Sequence, residues 1–451
     1  MTLVWIGVGL LIIAGGLTLV LWHRWPTLAI LLLLLGVYTN RYRWEVGPVS
    51  IRLEQVLVLL LGGLVLLRWA VRGERVRFPL PGGYALGWWL ALAFSTALYA
   101  PEPLGIVRHV IRLGLMVGIY FVTVNLLSHT RHWYTLVRGL FFLGVVEAGW
   151  GLLARVVYTW DFGTVAVAGY ELQSPLNLGI QVTTSLPVPV PYGTLEEGNI
   201  FGSTMGALLM LSSALWLQPI AGISRGWATL GVALTGLAWL LSLARGAWLG
   251  VLLVLPVFWV LAPRTSAQRL SHAGLLLVIA PVILAVFSFL VVVLPPTSPV
   301  IARLQTFTQL NADPTFNLRM ERWQDAWNDI LLRPFIGWGP GTFEYLHGIQ
   351  RFAQAWLDSL TIKVLQETGL FGLIFFFAFW ATVVGESLHA LLTARADVYR
   401  GGLLGLTIGA MVLFLAYHAT DATWLGFMWV WLGALTAHPR SWWVKYEKYE
   451  R

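Results

Sequence analysis

From Leu270 to Val293 the chain reads LSHAGLLLVIAPVILAVFSFLVVV, with no charged side chain anywhere in the stretch. A helix needs roughly 20 apolar residues to cross the hydrocarbon of a bilayer. Comparable runs fall at Leu3–Trp22, Thr27–Tyr38, Gln55–Leu67, Tyr84–Ala100, Ile106–Leu126, Leu136–Tyr158, Ile200–Leu217, Trp227–Leu243, Ala247–Leu261, Leu360–Val384, Gly402–Tyr417 and Trp424–Ala437. In lipid every backbone N–H and C=O must be bonded within the protein, which leaves helix bundles and closed barrels. The runs are continuous rather than alternating, so they predict helices. Of the 451 residues, 58% are hydrophobic and only 11% charged, against about 25% charged in a soluble domain. The expected fold is all-α, a polytopic transmembrane bundle of about 12–13 spans.

Arginines orient the bundle. Arg72, Arg75 and Arg77 share one short loop, Arg131 and Arg138 flank a second, Arg264 and Arg269 a third, and Arg395 and Arg400 a fourth. The tail carries Arg440, Lys445, Lys448 and Arg451. Basic loops stay on the cytoplasmic side, which sends the alternate connections outside. The chain then divides into N-terminal membrane helices (1–158), an extracytoplasmic loop (159–199), central membrane helices (200–294), a large extracytoplasmic loop (295–359), C-terminal membrane helices (360–437) and a cytoplasmic tail (438–451). About thirteen spans put the N-terminus outside and about twelve put it inside. No removable signal peptide is expected. The formal charge of +8 is read as topology and lipid contact, with membrane lipids and not nucleic acid as its partners.

Several chemistries find no support. There is no cysteine, which removes disulfides, thiolate metal sites and a cysteine nucleophile. The histidines are scattered, without HExxH or HxxxH pairing, and no GxxxxGK[ST] loop is present. No metal and no cofactor are expected.

The polar residues concentrate instead in Thr315–Leu373, where Arg319, Glu321, Arg322, Asp325, Asp329, Arg333, Glu344, His347, Arg351 and Asp358 stand between apolar runs. Arg319, Trp323, Ala326, Trp327 and Ile330 recur at helical spacing and predict a short amphipathic helix from near Thr315. Pro334, Gly337, Gly339, Pro340 and Gly341 then break the chain, and a second short helix is expected over Phe343–Phe352. This pair is read as a lid over a cavity in the bundle. Arg319 and Arg322 are one turn apart, so they address a common anion or pair with neighbouring acids. Trp323 suits interface packing or a sugar platform.

Arg245, in LLSLARGAWLG, has almost no loop to hold it in water. It faces a wet cavity or an anion, or it snorkels to the interface. A guanidinium binds phosphate bidentately and stays charged. Arg108 and Arg112, also one turn apart, either extend such a site or anchor the interface. Asp358 precedes the Leu360 span, as a helix cap or as a reactive carboxylate. Glu367 is read as ordering the mouth of that helix.

Three separated pieces resemble the O-antigen ligase/polymerase superfamily of bacterial membrane glycosyltransferases. RMERWQDAWNDILLRPFIGWGPGTF is similar to the family's R-x-x-x-W...P-[LF]-x-G-x-G-x-G-x-[FY] signature. LDSLTIKVLQETGLFGLIFF resembles its [HD]-N-x-[YF]-L-x-x-L-x-E-x-G-x-x-G-L helix start, and LSLARGAWLG its S-R-[GS] junction. EEGNIFGS is similar to a weaker P-N motif and brings in Asn199. The resemblance implies a GT-C-like fold in the bacterial plasma membrane, with its active site on the extracytoplasmic face. It also implies metal-free, inverting transfer from an undecaprenyl-pyrophosphate-linked glycan to a glycan, lipid or protein hydroxyl, by a monomer. Arg245 and Arg319 would hold the pyrophosphate and Asp358 would be the base. Arg322, Asn199, Arg108, Arg112, Trp323, Glu367 and His347 would line the substrate site. The departure is at the base, because ligases proper carry histidine where this chain has Asp358. Polymerase of the same superfamily is the nearest alternative, and a lipid-linked glycan flippase the one from another class.

Overall fold

A computed structural model describes residues 26–46, 49–99, 103–161, 180–182, 189–195, 197–263, 314–348, 357–393, 399–420 and 423–439. The helices are α1 (Pro26–Tyr38), α2 (Leu53–Arg72), α3 (Leu80–Tyr99), α4 (Pro103–Leu126), α5 (Thr130–Asp161), α6 (Gly198–Leu217), α7 (Arg225–Leu241), α8 (Arg245–Leu261), α9 (Pro314–Leu332), α10 (Leu360–Thr393), α11 (Arg400–Ala416) and α12 (Gly426–Thr436). The expected spans Leu3–Trp22 and Leu270–Val293, most of the loop 159–199 and the tail from Arg440 lie outside the described residues.

Among the described residues five helices, α2, α4, α5, α6 and α10, are long and apolar enough to cross a membrane, and α1, α8, α11 and α12 are shorter apolar helices. The chain is a multi-pass membrane protein. Among the described residues two β-ribbons depart from a purely helical expectation. Strands β1 (Arg43–Val46) and β2 (Val49–Arg52) pair antiparallel, and so do β3 (Ile180–Val182) and β4 (Pro189–Pro191). Both ribbons sit in connections, where runs as short as VSIR and PVP are too brief to show a strand period.

Hydrogen bonds fix which helix ends meet. Leu360 N–H donates to the Tyr417 carbonyl at 2.9 Å, tying the start of α10 to the end of α11. Gly426 N–H donates to Glu54 Oε2 at 3.2 Å, so an acid at the start of α2 caps α12. Thr420 Oγ1 donates to Glu197 Oε1 at 2.9 Å, ahead of α6. At the opposite end Arg400 is 1% exposed. It donates to the carbonyls of Leu261 (2.7 Å), Ala262 (3.1 Å) and Pro263 (3.0 Å). These are the orphan acceptors at the end of α8, and a cation suits that negative helix terminus.

Between the two ends the core is aromatic and closely approached. Trp429 stacks on Trp88 and Phe379, with ring centroids 5.7 and 5.6 Å apart, joining α12 to α3 and α10. Trp133 and Trp431 bury their rings while donating to the carbonyls of Ala434 (2.9 Å) and Leu406 (2.7 Å). A buried indole keeps a partner for its N–H in this way. Helices α6 and α11 pack most extensively. Gly405 lies against the Leu211 backbone, the close approach that small residues permit in membrane bundles.

Candidate active site

The helix α9 starts at Pro314, a residue preorganised for a first turn. It buries Ala326 against Phe343 and Leu357, with Trp323 and Ile362 packed around them. That contact holds α9 beside the short extended segment that leads into α10, and it turns Arg319 and Arg322 toward Asp358. Arg319 Nε donates to Asp358 Oδ2 at 3.3 Å, and Arg322 Nη1 lies 3.7 Å from the same oxygen. The two arginines do share an anion, and in this structure that anion is the Asp358 carboxylate. Asp358 Oδ1 has no bonding partner among the described residues, and neither do the terminal nitrogens of Arg319. Burial lowers the Arg322 pKa from its ordinary value and Arg319 adds to that, while Asp358 opposes both. A guanidinium nevertheless stays protonated. The carboxylate of Asp358 is thus turned to the arginines, and Lys363 N–H in the first turn of α10 donates to the Ser359 carbonyl at 2.9 Å.

The rest of the polar island is built on a break in α10. Gly369 (φ 62°, ψ −166°) interrupts the helix and frees backbone groups on both sides. The segment after α9 takes them up. Trp338 and Gly339 N–H donate to the carbonyls of Gln366 (3.0 Å) and Glu367 (2.8 Å). Leu370 and Phe371 N–H donate to Pro334 (2.8 Å) and Phe335 (3.2 Å). Gly337, Gly339 and Gly341 all carry positive φ, so the GWGPG stretch is a turn shaped to dock on this break.

Side chains reinforce the junction. Glu367 Oε1 accepts from Gly341 N–H at 3.0 Å and lies 3.8 Å from Lys363 Nζ. His347 Nε2 donates to Asp329 Oδ2 at 3.0 Å, and Gln366 Nε2 reaches that oxygen at 3.4 Å. Glu367→Ala removes a buried acceptor from a backbone N–H, so it is expected to destabilise the protein by about 1–3 kcal/mol. Glu367→Gln, which keeps an acceptor oxygen, should lose less. Thermal unfolding of the purified variants reads the difference.

The second helix expected over Phe343–Phe352 is, where described, a single π-helical turn at Glu344–Gly348; residues 349–356 lie outside the described residues. Short glycine-flanked segments of this kind carry too few periodic positions to set a helix type. Trp323 packs against the apolar cluster under α9.

The remaining candidates occupy the same end of the bundle in separate places. Arg245 opens α8 and is 9% exposed. The following Gly246 abuts Ala419. Next to it, His418 Nδ1 donates to the Phe414 carbonyl at 2.8 Å, which leaves Nε2 to accept from Thr361 Oγ1 at 2.7 Å, one turn into α10 from Asp358. Asn199 lies in the first turn of α6, after Glu197. Arg108 is exposed, with its Nε 3.4 Å from His109 Nε2. Arg112 is directed elsewhere: its guanidinium lies 4.4 Å from the Trp424 ring centroid, with that of Arg52 at 4.7 Å from the same ring. Sequence spacing placed Arg108 and Arg112 on one face without showing that a tryptophan some 300 positions later would claim one of them. Among the described residues no group of three or more His, Cys, Asp or Glu side chains is arranged to hold a metal ion.

The Arg319–Arg322–Asp358 triad, the glycine-rich turn and the α7–α8 junction fall in one stretch of sequence. No curated protein and no solved structure matches the chain. Residues 230–377 match the family model described as O-antigen ligase, which supports glycosyl transfer of the ligase or polymerase type. This segment, about a third of the chain, is similar to O-antigen ligases and supports membership of the O-antigen ligase/polymerase superfamily.

Proposed function

We propose that the protein is a metal-independent, inverting glycosyltransferase. It would move a glycan from an undecaprenyl-pyrophosphate-type carrier to an acceptor hydroxyl on the extracytoplasmic face of the bacterial plasma membrane. The observation that supports this best is the asymmetric use of Asp358: both arginines engage Oδ2, and among the described residues no hydrogen bond is made to Oδ1. An oxygen held in this way keeps the carboxylate oriented while its other lone pairs face an incoming hydroxyl.

In the proposed step the acceptor oxygen attacks the anomeric carbon and its proton passes to Asp358. The bond from that carbon to the phosphate oxygen breaks, and the electron pair leaves with the pyrophosphate. Arg319, with Arg245 across the same end of the bundle, would meet the charge that develops on the leaving group. Arg322 would keep Asp358 in place as the donor draws Arg319 away. The arginine-rich loops at the far end of the bundle support the orientation, since basic loops are retained in the cytoplasm. Ligase and polymerase share this step and differ only in the acceptor.

The test is transfer from an undecaprenyl-pyrophosphate-linked oligosaccharide by purified protein. Asp358→Ala and Asp358→Asn are each expected to slow turnover by about 10²–10⁴-fold, the contribution of a positioned base. Normal turnover in both variants would move the base to another residue.

A further inference from the structure

A groove of about 660 Å³ opens on the flank of the bundle between α3 and α10. Leu90, Phe94, Ile336, Thr368, Phe371 and Phe375 are among the residues that line it. Leu90, Phe94 and Phe371 are each more than half exposed, so in a bilayer they face lipid. The groove therefore runs along the break at Gly369, with the docked 334–339 segment as part of its lining.

One cation stands beyond the groove, at the Tyr99 end of α3. Arg333 Nη1 donates to the Tyr99 carbonyl at 3.4 Å, at the end of the helix whose earlier turns line the groove. Its guanidinium lies 4.1 Å from the Tyr99 ring centroid and 3.7 Å from that of Trp338. No carboxylate pairs with it among the described residues. At about 1.5 Å per helical residue, Phe94 lies about 8 Å and Gly87 about 18 Å below Tyr99 along α3. One leaflet of hydrocarbon is about 15 Å deep. A ring pair at the interface, a charge beside it and an apolar channel one leaflet deep match the parts of a phospholipid in order.

We infer that this groove seats an acyl chain of an anionic phospholipid whose phosphate is held by Arg333. The lipid wedges against the junction between the glycine-rich turn and the broken α10. Assigning it to the outer leaflet rests on the orientation proposed above; the groove and its cation do not. The site is separate from the Arg319–Asp358 pair, which stands at the opposite end of α9 from Arg333.

Native mass spectrometry of the full chain in mild detergent, with added phosphatidylglycerol, tests this without any glycan substrate. Wild type is expected to retain one phosphatidylglycerol. Arg333→Gln, which removes the charge, and Ala91→Trp, which fills the groove, should each cut that retention at least tenfold. Ala93→Trp gives a second filled groove should Ala91→Trp fail to fold, and Arg333→Gln carries the test in either case. Arg68→Gln, in an ion pair with Glu74 elsewhere on the chain, should bind as wild type does. Equal retention in wild type, Arg333→Gln and a folded groove-filled variant would overturn the inference. Preferential retention of undecaprenyl phosphate over phosphatidylglycerol would overturn it too, by giving the groove to the donor lipid.

Discussion

Arg319→Ala is expected to lower glycan transfer by about 10²–10³-fold, the range seen when one donor to a developing oxyanion is lost, while the protein stays folded. The two halves of that expectation come from different numbers. Arg319 and Asp358 are 21% and 27% exposed, and an ion pair this open to solvent contributes at most about 1 kcal/mol to stability. The melting temperature should therefore barely move, and lost activity cannot be charged to unfolding. Arg319→Lys keeps the charge but gives up the planar fork that grips two phosphate oxygens at once, so its activity should fall between alanine and wild type. The paired measurement is turnover with an undecaprenyl-pyrophosphate-linked oligosaccharide beside a thermal melt. Turnover within a few-fold of wild type in a folded Arg319→Ala protein would remove the pyrophosphate from this residue.

The site was legible where chemistry is local. The α9 periodicity, the arginines one turn apart and the abrupt α7–α8 junction at Arg245 are all patterns within a few turns of chain, and the structure has each of them. Partners were not legible. Asp358 lies 39 positions from Arg319, across a turn whose path depends on three glycines with positive φ. Arg112 has the same one-turn spacing from Arg108 as Arg322 has, within a residue, from Arg319, yet it rests on Trp424. Spacing assigns a face of a helix, and the neighbouring helix decides what that face meets. The break in α10 was hidden for a related reason. A lone glycine in an apolar run is ordinarily tolerated at modest cost, and ETGLFGL does not show which of its glycines leaves the helix.

That break carries the largest expected effect on stability. Gly369→Ala should reduce the yield of monodisperse protein sharply and lower the melting temperature of what remains. The backbone at φ 62° and ψ −166° is a region that only glycine occupies readily. An alanine there carries about 1–3 kcal/mol of strain. Its methyl group would also press on the Phe335 carbonyl and Ile336 N. Relaxing toward a regular helix is no escape, because Gln366, Glu367, Leu370 and Phe371 would each withdraw their backbone group from the glycine-rich turn. Each hydrogen bond lost that way is worth about 1 kcal/mol, so either route costs several. The turn also presents Gly341 to Glu367 and sets Trp338 against Asp329, so transfer activity should fall with stability. Gly385→Ala in the same helix is the matched control: an added methyl there meets open space and should leave stability unchanged or raise it by about 0.5–1 kcal/mol. If Gly369→Ala melts where Gly385→Ala does, the four bonds across the break do not hold the turn, and α10 tolerates a continuous helix.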